Sequence, residues 1–481
     1  MRRLLCVIGA MGALTIPLPA AAAPFTPEDS ARIDAIAREA LADSGAPSVS
    51  IAIVRDGEIA FARAYGRRSL ASDAPATTND RYLIGSISKQ FTAAMVLSAA
   101  RDGRLSLDDK VARFHPDLTA ADRISLRQLL SHTAGYTSFF TLDVTPVEGR
   151  SPIDPRQIAR RWGALPLDFE PGAQWSYSNT GYTLAGLAAE QAAGAPLDAL
   201  LQGRVFDPLG MTSAGDIDRR PLRSSDAVGY TRYVTAPPRP ALLVGRGWLY
   251  AAGSLAMTAS DLARWDMAMI DGRVLSADAW KTMRTEVRLN DGSGSGYGLG
   301  VYVDEVRGRA RVHNDGSIDG FGAENRVYPE ARAAVVVLVN ADYGSTPYRV
   351  ADGIEALLFP PPVATAPEAP RPPRPEPTPD PAGAEEMALA KRLYVEARDG
   401  RLDRRRFTPD VDAYFSPEVV ADYRASLAPL GDPPRFIQAR RDTIGGLKAS
   451  LYELKWPDRT LIMILRLTPE GMIAGFVVFP A

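Results

Sequence analysis

Two periods run through the apolar positions of this chain. After Thr26-Pro27-Glu28-Asp29, the residues Ile33, Ile36, Ala40 and Leu41 return at helical spacing. A proline and acidic groups suit the first turn of a helix, where backbone N–H groups are free and the dipole is positive. Two runs of strand character follow, Val49 to Val54 and Ile59 to Tyr65, joined by the hairpin signal Asp56-Gly57. Ser86 to Ala100 reads as a helix with Phe91, Met95 and Leu97 or Ala99 turned inward. Helical and loop segments fill the middle. Strand candidates return at Ala310 to Asn314, Ala323 to Tyr328 and Ala333 to Val339, and Asp352 to Phe359 reads as a closing helix. Helix, hairpin, a long mostly helical insertion, then strands and a helix predict an α/β (α+β) fold, its sheet mostly antiparallel and covered by helices.

The pattern breaks at FPPPVATAPEAPRPPRPEPTPDPAG, Phe359 to Gly383. So many prolines remove backbone donors and favour an extended spacer. The expected division is a large domain over 24–360, a linker over 361–382 and a small α+β domain over 383–481. The last part predicts a helix from Glu385 to Asp399. Four strands follow it: Arg435 to Arg440, Leu447 to Lys455, Thr460 to Leu467 and Met472 to Phe479. No catalytic cluster is visible there.

Composition narrows the function classes. Hydrophobic residues make up 46% and charged residues 23% of 481, enough for packed cores. The formal net charge of -2 shows no basic excess and argues against a nucleic-acid partner. Arg2 and Arg3, an apolar run from Leu4 to Ile16 and the small residues Ala21 to Ala23 read as a secretory signal peptide over 1–23. The expected location is therefore periplasmic or secreted. Its removal leaves 53 basic against 57 acidic residues, and no later stretch is apolar enough to span a bilayer. Cys6, the one cysteine, lies in that leader, so the mature chain has no disulfide and no thiol nucleophile. The three histidines, His115, His132 and His313, show no metal-ligand spacing, and nothing calls for a cofactor. There is no Gly-x-Ser-x-Gly elbow.

Three stretches carry candidate chemistry. In LIGSISKQF, Ser86 and Lys89 fall one helical turn apart on one face. A serine hydroxyl needs a neighbouring base, and a lysine is one only when burial keeps it partly neutral. Of six lysines, Lys89 alone has a serine three residues before it. In PGAQWSYSNTGYTLAG, Tyr177 and Asn179 can point the same way from a loop leading into a helix. Tyrosine can relay a proton, and asparagine can hold a lysine and a substrate carbonyl. The plainer reading makes Asn179 a helix cap. VHNDGSIDGFGAENRVYPE, Val312 to Glu330, is glycine-rich enough to let substrate lie along a strand edge, and also reads as a plain turn. His132, in SHTAG, reads as a turn or packing residue. Trp248 and Tyr250 suit either an apolar pocket or core packing.

Together these stretches resemble the serine β-lactamase and penicillin-binding-protein superfamily. The likeness is greatest to its class C-like branch of D-Ala-D-Ala carboxypeptidases, D-aminopeptidases and β-lactamase-fold esterases. Ser86-Ile87-Ser88-Lys89 matches the first motif and Tyr177-Ser178-Asn179 the second. LRQLLSHTAGY (Leu126 to Tyr136), Gly253-Ser254 and TASDLARW (Thr258 to Trp265) add to a likeness that covers Phe25 to Phe359. The resemblance implies a sheet flanked by helices, a mainly helical second lobe, and a site between them. Ser86 would be acylated, with Lys89 and Tyr177 sharing proton transfer. The N–H groups of Ser86 and Ser317 would form the oxyanion hole.

The third motif departs from the pattern of a basic residue or histidine, any residue, then glycine. Counting back from GSIDGF places Asn314-Asp315-Gly316 there, with His313 one place early. Either a one-residue bulge restores His313 or Asn314 replaces it. With Asn314, the cation that would greet a substrate carboxylate is missing. The expected function is then a serine hydrolase acting on an ester, an amide or a D-amino-acid peptide. The expected partner is a small molecule or short peptide, peptidoglycan-derived peptides among the candidates. The rival reading is a non-catalytic cell-envelope binding protein that retains the fold.

Overall fold

The computed structural model describes residues 25–140, 147–360, 381–444 and 446–480. The expected leader over 1–23 and linker residues 361–380 lie outside the described residues. The helix that follows begins at Pro381. Among the described residues no helix is long and apolar enough to cross a membrane.

The main sheet has seven strands, every pair antiparallel. From one edge they run Ala74–Pro75, Glu58–Ser69, Ser48–Arg55, Ala333–Val339, Phe321–Tyr328, Arg309–Ile318 and Tyr302–Val306. The central strands Ser48–Arg55 and Ala333–Val339 are buried almost throughout, which explains their continuous rather than alternating apolar pattern. Helices Pro27–Ser44 and Thr346–Leu358 cover one face; Thr26 caps the first by accepting from the Asp29 N–H at 3.0 Å. Helix Ala259–Asp271 and the helical lobe cover the other.

Three expected elements change in extent. The helix expected at Ser86 begins at Ser88, after a single 3-10 turn over Gly85–Ile87. It is buried from Ser88 to Ala99 on every side, because sheet and lobe enclose it. The strand expected to stop at Asn314 continues to Ile318, so the glycine-rich stretch is two paired strands joined by a tight turn at Asp319-Gly320. The helix expected from Asp352 starts at Thr346.

The C-terminal domain has its own four-stranded antiparallel sheet, ordered Arg435–Ile444, Leu447–Lys455, Thr460–Leu467 and Ile473–Pro480. Helix Pro381–Asp399 and two shorter helices, Pro409–Tyr414 and Pro417–Leu427, pack on it. This domain docks on the first. The segment between the short strands Tyr230–Thr231 and Arg239–Pro240 inserts Val234, 1% exposed, into the C-terminal core. Val234 holds φ 55°, a strained value for a β-branched residue. Arg239 clasps Asp422 through two hydrogen bonds of 2.8 Å, and the Thr235 N–H donates to Ser426 Oγ at 3.2 Å.

Candidate active site

Ser86 sits in the tight turn between strand Tyr82–Leu83 and the buried helix. Two glycines make its seat possible. Gly85 holds φ 51°, and a Cβ there would lie 3.0 Å from the Ser317 nitrogen. A Cβ on Gly316 would lie 2.0 Å from the Ile84 carbonyl oxygen and 3.3 Å from the Ser86 nitrogen. Strand Arg309–Ile318 therefore lies directly against the nucleophile turn, with the backbone nitrogens of Ser86 and Ser317 on adjoining segments.

Lys89 is fully buried one turn further on. Its Nζ lies 2.7 Å from the Ala252 carbonyl oxygen, 2.8 Å from Asn179 Oδ1 and 3.2 Å from Ser86 Oγ. The rings of Tyr177 and Tyr182 flank it, centroids 4.7 and 5.4 Å from Nζ. None of its contacts is a carboxylate. Burial drives its pKa well below the ordinary lysine value, and Asp315 offsets this in part. A neutral amine has two N–H donors and one lone pair. The two shorter contacts suit the donors, which leaves the lone pair for the Ser86 hydroxyl.

Tyr177 closes the triangle, its hydroxyl 2.5 Å from Ser86 Oγ. Burial raises its pKa, the bond from Ser86 lowers it in part, and Tyr302 and Asp315 raise it further, so the phenol keeps its proton. Ser178, not Asn179, caps helix Asn179–Ala193, by accepting from the Gly181 N–H at 3.2 Å. Asn179 is thereby free to turn its carbonyl to Lys89, while its Nδ2 reaches Ser138 Oγ at 3.4 Å.

His132 stands behind Tyr177, ring centroids 4.5 Å apart, and also touches Tyr182, Tyr297 and Trp175. Its Nδ1 accepts from the Ser178 N–H at 3.0 Å. Burial, then Lys89, lowers its pKa well below normal. It is a neutral member of an aromatic cage and does not touch Ser86.

The third motif needs a correction. Pairing runs without a shift from Val312↔Val327 to Ile318↔Phe321, so there is no bulge to restore His313. Side chains alternate along the strand. Asn314 and Gly316 face the nucleophile turn; His313 and Asp315 face helix Thr346–Leu358. Asn314 is buried and donates to the Gly300 carbonyl at 2.8 Å. His313 stacks on Tyr302 with Nε2 3.5 Å from Asp304, and burial and Arg311 hold its pKa down at about 4.

Sequence reasoning thus reached Ser86, Lys89, Tyr177, Asn179, Asn314, Gly316 and Ser317, which the fold brings together. It missed the Ala252 carbonyl, Ser138 and the cage of Trp175, Tyr182 and Tyr297. A carbonyl has no residue-type signal, and the cage gathers residues more than a hundred positions apart. Trp248 lines the cleft beside the site while its Nε1 donates to the Ser151 carbonyl at 2.8 Å.

A serine held between a phenol and a buried amine whose pKa burial depresses, on a mostly antiparallel sheet with a helical lobe, is a site suited to acyl transfer. The chain belongs to the beta-lactamase family, whose model matches residues 33–358. It is 26% identical over 322 residues to a D-aminopeptidase of Brucella anthropi, covering 66% of this chain and 61% of that protein. The chain thus spans about three fifths of that relative's length. A D-stereospecific amidohydrolase from Streptomyces sp. superposes with a TM-score of 0.59 at 27% identity, over 69% of this chain and 98% of that one. The octameric penicillin-binding protein homologue from Pyrococcus abyssi shares the fold over 92% of this chain and 91% of its own, at a TM-score of 0.63 and 21% identity.

Proposed function

We propose that the protein is a serine hydrolase that passes through an acyl-enzyme on Ser86, with an amide or ester as substrate. The observation that carries this is Lys89: a fully buried lysine with no carboxylate contact, 3.2 Å from the serine hydroxyl. Ser86 Oγ attacks the substrate carbonyl as its proton passes to the Lys89 lone pair. The oxyanion is received by the N–H groups of Ser86 and Ser317. Tyr177 gives its proton to the leaving nitrogen or oxygen and is left as the phenolate, while Lys89 keeps the proton taken from Ser86. Water then attacks the acyl carbonyl: Tyr177 takes a proton from that water, Lys89 returns its proton to Ser86 Oγ, and the acid leaves with Ser86 reprotonated.

The neutral Asn314 at the third motif, with Asp315 beside it, disfavours a free carboxylate on the leaving side. This favours amides, esters or peptides whose acceptor side is neutral or basic. D-Amino-acid amides and peptidoglycan-derived peptides are the first substrates to try, given the relatives above. The leader expected over 1–23 supports a periplasmic or secreted setting for this activity.

The test is the intact mass of the mature protein after a fluorophosphonate and, separately, a penicillin, with Ser86→Ala beside it. A phosphonate adduct that needs Ser86, without a penicillin adduct, is the expected result. No adduct from either reagent, or one that persists in Ser86→Ala, would sink the reading and leave a binding protein.

A further inference from the structure

The cleft at Ser86 does not end within the first domain. It belongs to a cavity of about 1270 Å3 that the C-terminal domain also bounds. Small-molecule sites usually enclose ~300–1,000 Å3, so this one exceeds what a single amino-acid amide fills. The C-terminal part of the boundary includes Ile462, Ile464, Val477, Phe479 and Tyr414, with Ser416 and Glu418 beside them.

These residues break a rule of antiparallel sheets. A sheet packed on one side normally turns polar residues to the other. In strand Thr460–Leu467, Leu461, Met463 and Leu465 fill the domain core. The opposite face carries Ile462 and Ile464, paired across the ladder with Phe479 and Val477. These four side chains form a half-buried apolar patch, with Leu451 and Glu453 beside them as the ladder partners of Ile464 and Ile462 on the next strand. Leu242, 74% exposed, borders the same cavity. Several charged groups nearby are already engaged: Arg239 with Asp422, Asp342 with the Gly320 N–H at 2.8 Å, Arg232 with the Ser44 carbonyl at 2.9 Å. Arg150 and the exposed Glu418 also border the cavity, so the apolar patch is one wall of a mixed lining. Val234, locked in the C-terminal core, holds this wall against the cleft.

We propose that the outer face of the C-terminal sheet is the substrate-selecting wall of the cleft, and that the molecule cleaved at Ser86 carries an alkyl or acyl chain long enough to lie against it. The occupant is the apolar part of the substrate because the wall is continuous with the reaction site. The inference rests on the Ser86 reading for the cleavage, but the binding surface is tested separately.

Two ester series decide it. p-Nitrophenyl esters from acetate to decanoate vary the acyl side; thioacetates from S-methyl to S-decyl vary the leaving side. A fully buried methylene is worth roughly four-fold, so kcat/KM rises by at least ~30-fold along one series. In Ile464→Glu the ratio of long to short substrate falls at least ten-fold on the same basis, to within about three-fold of unity. Val477→Trp, which fills the cavity without adding charge, moves the optimum to shorter chains. Flat wild-type profiles in both series overturn the proposal. So does a slope that survives both substitutions, or an equal fall for short and long substrates. A change only in sedimentation of Ile464→Glu would assign the face to a second copy of the chain and also overturn it. A phosphonate adduct with flat profiles sinks the wall and leaves Ser86 standing. If Ser86 is inert, calorimetry with N-decanoylglycinamide against N-acetylglycinamide judges the wall alone; equal affinities reject it.

Discussion

Strands Arg309–Ile318 and Phe321–Tyr328 bury polar groups on both faces, by opposite means. The face toward the nucleophile is built from amides and carbonyls, with one carboxyl, Asp266, whose pKa burial raises. Asn314 donates to a carbonyl, Asn325 bridges Gln90 and Asp266, and Lys89 meets only a carbonyl, an amide and a hydroxyl. The face toward helix Thr346–Leu358 is ionic. Arg326, also buried, lies 2.7 Å from Glu324, 2.7 Å from Asp352 and 3.1 Å from Glu355, while Arg311 holds Asp304 at 2.6 Å. Both cations lose water. Burial lowers the Lys89 pKa with little to oppose it, whereas the carboxylates around Arg326 outweigh burial and hold it charged. A buried cation with neutral partners becomes a base; one with carboxylates becomes a brace.

The sharpest way to break this contrast is Lys89→Arg, which keeps the charge and removes the base. Arginine does not deprotonate, so acylation should fall at least ~10³-fold, read as the rate of phosphonate adduct formation. A near-normal rate would show that Lys89 acts only as a charge. Next comes Arg326→Met on the ionic face. It leaves Glu324 buried without its cation, although Glu355 keeps Arg311 at 3.2 Å, and should cost about 3–5 kcal/mol in denaturant unfolding. An unchanged midpoint would mean the carboxylates are already neutral.

Asn179→Asp makes the reactive face resemble the ionic one. A carboxylate 2.8 Å from Nζ favours the ammonium form, so the Lys89 pKa rises. Because the neutral amine is the active form, the acid limb of kcat/KM should move up by about one pH unit or more, with the fold intact by circular dichroism. A limb that stays put would assign it to another group. The smallest effect belongs to His313→Gln. On the ionic face, neutral above about pH 4, this histidine should change kcat/KM by less than about three-fold across the profile. A large loss would return it to the site.

Local signals carried much of this protein into view. Pro27 after Thr26, the Asp56-Gly57 hairpin and the apolar runs of the central strands state their own conformations, because capping, turn sterics and burial act over a few residues. The Ser86–Lys89 spacing is legible for the same reason, being one turn of one helix. The expected leader and the proline-rich stretch are readings from composition alone. Other features had no local signature. Whether His313 or Asn314 faces the serine depends on strand register, which a single-residue slip would invert, and pairing with Phe321–Tyr328 settled it. The depressed Lys89 pKa exists only because Tyr177, Tyr182 and the Ala252 carbonyl arrive from distant segments and exclude water. The docking of the second domain through Val234 depends on two cores meeting. Short-range sterics and periodicity are written in the order of residues. Desolvation, register and domain contact are sums over neighbours that the chain acquires only when it folds.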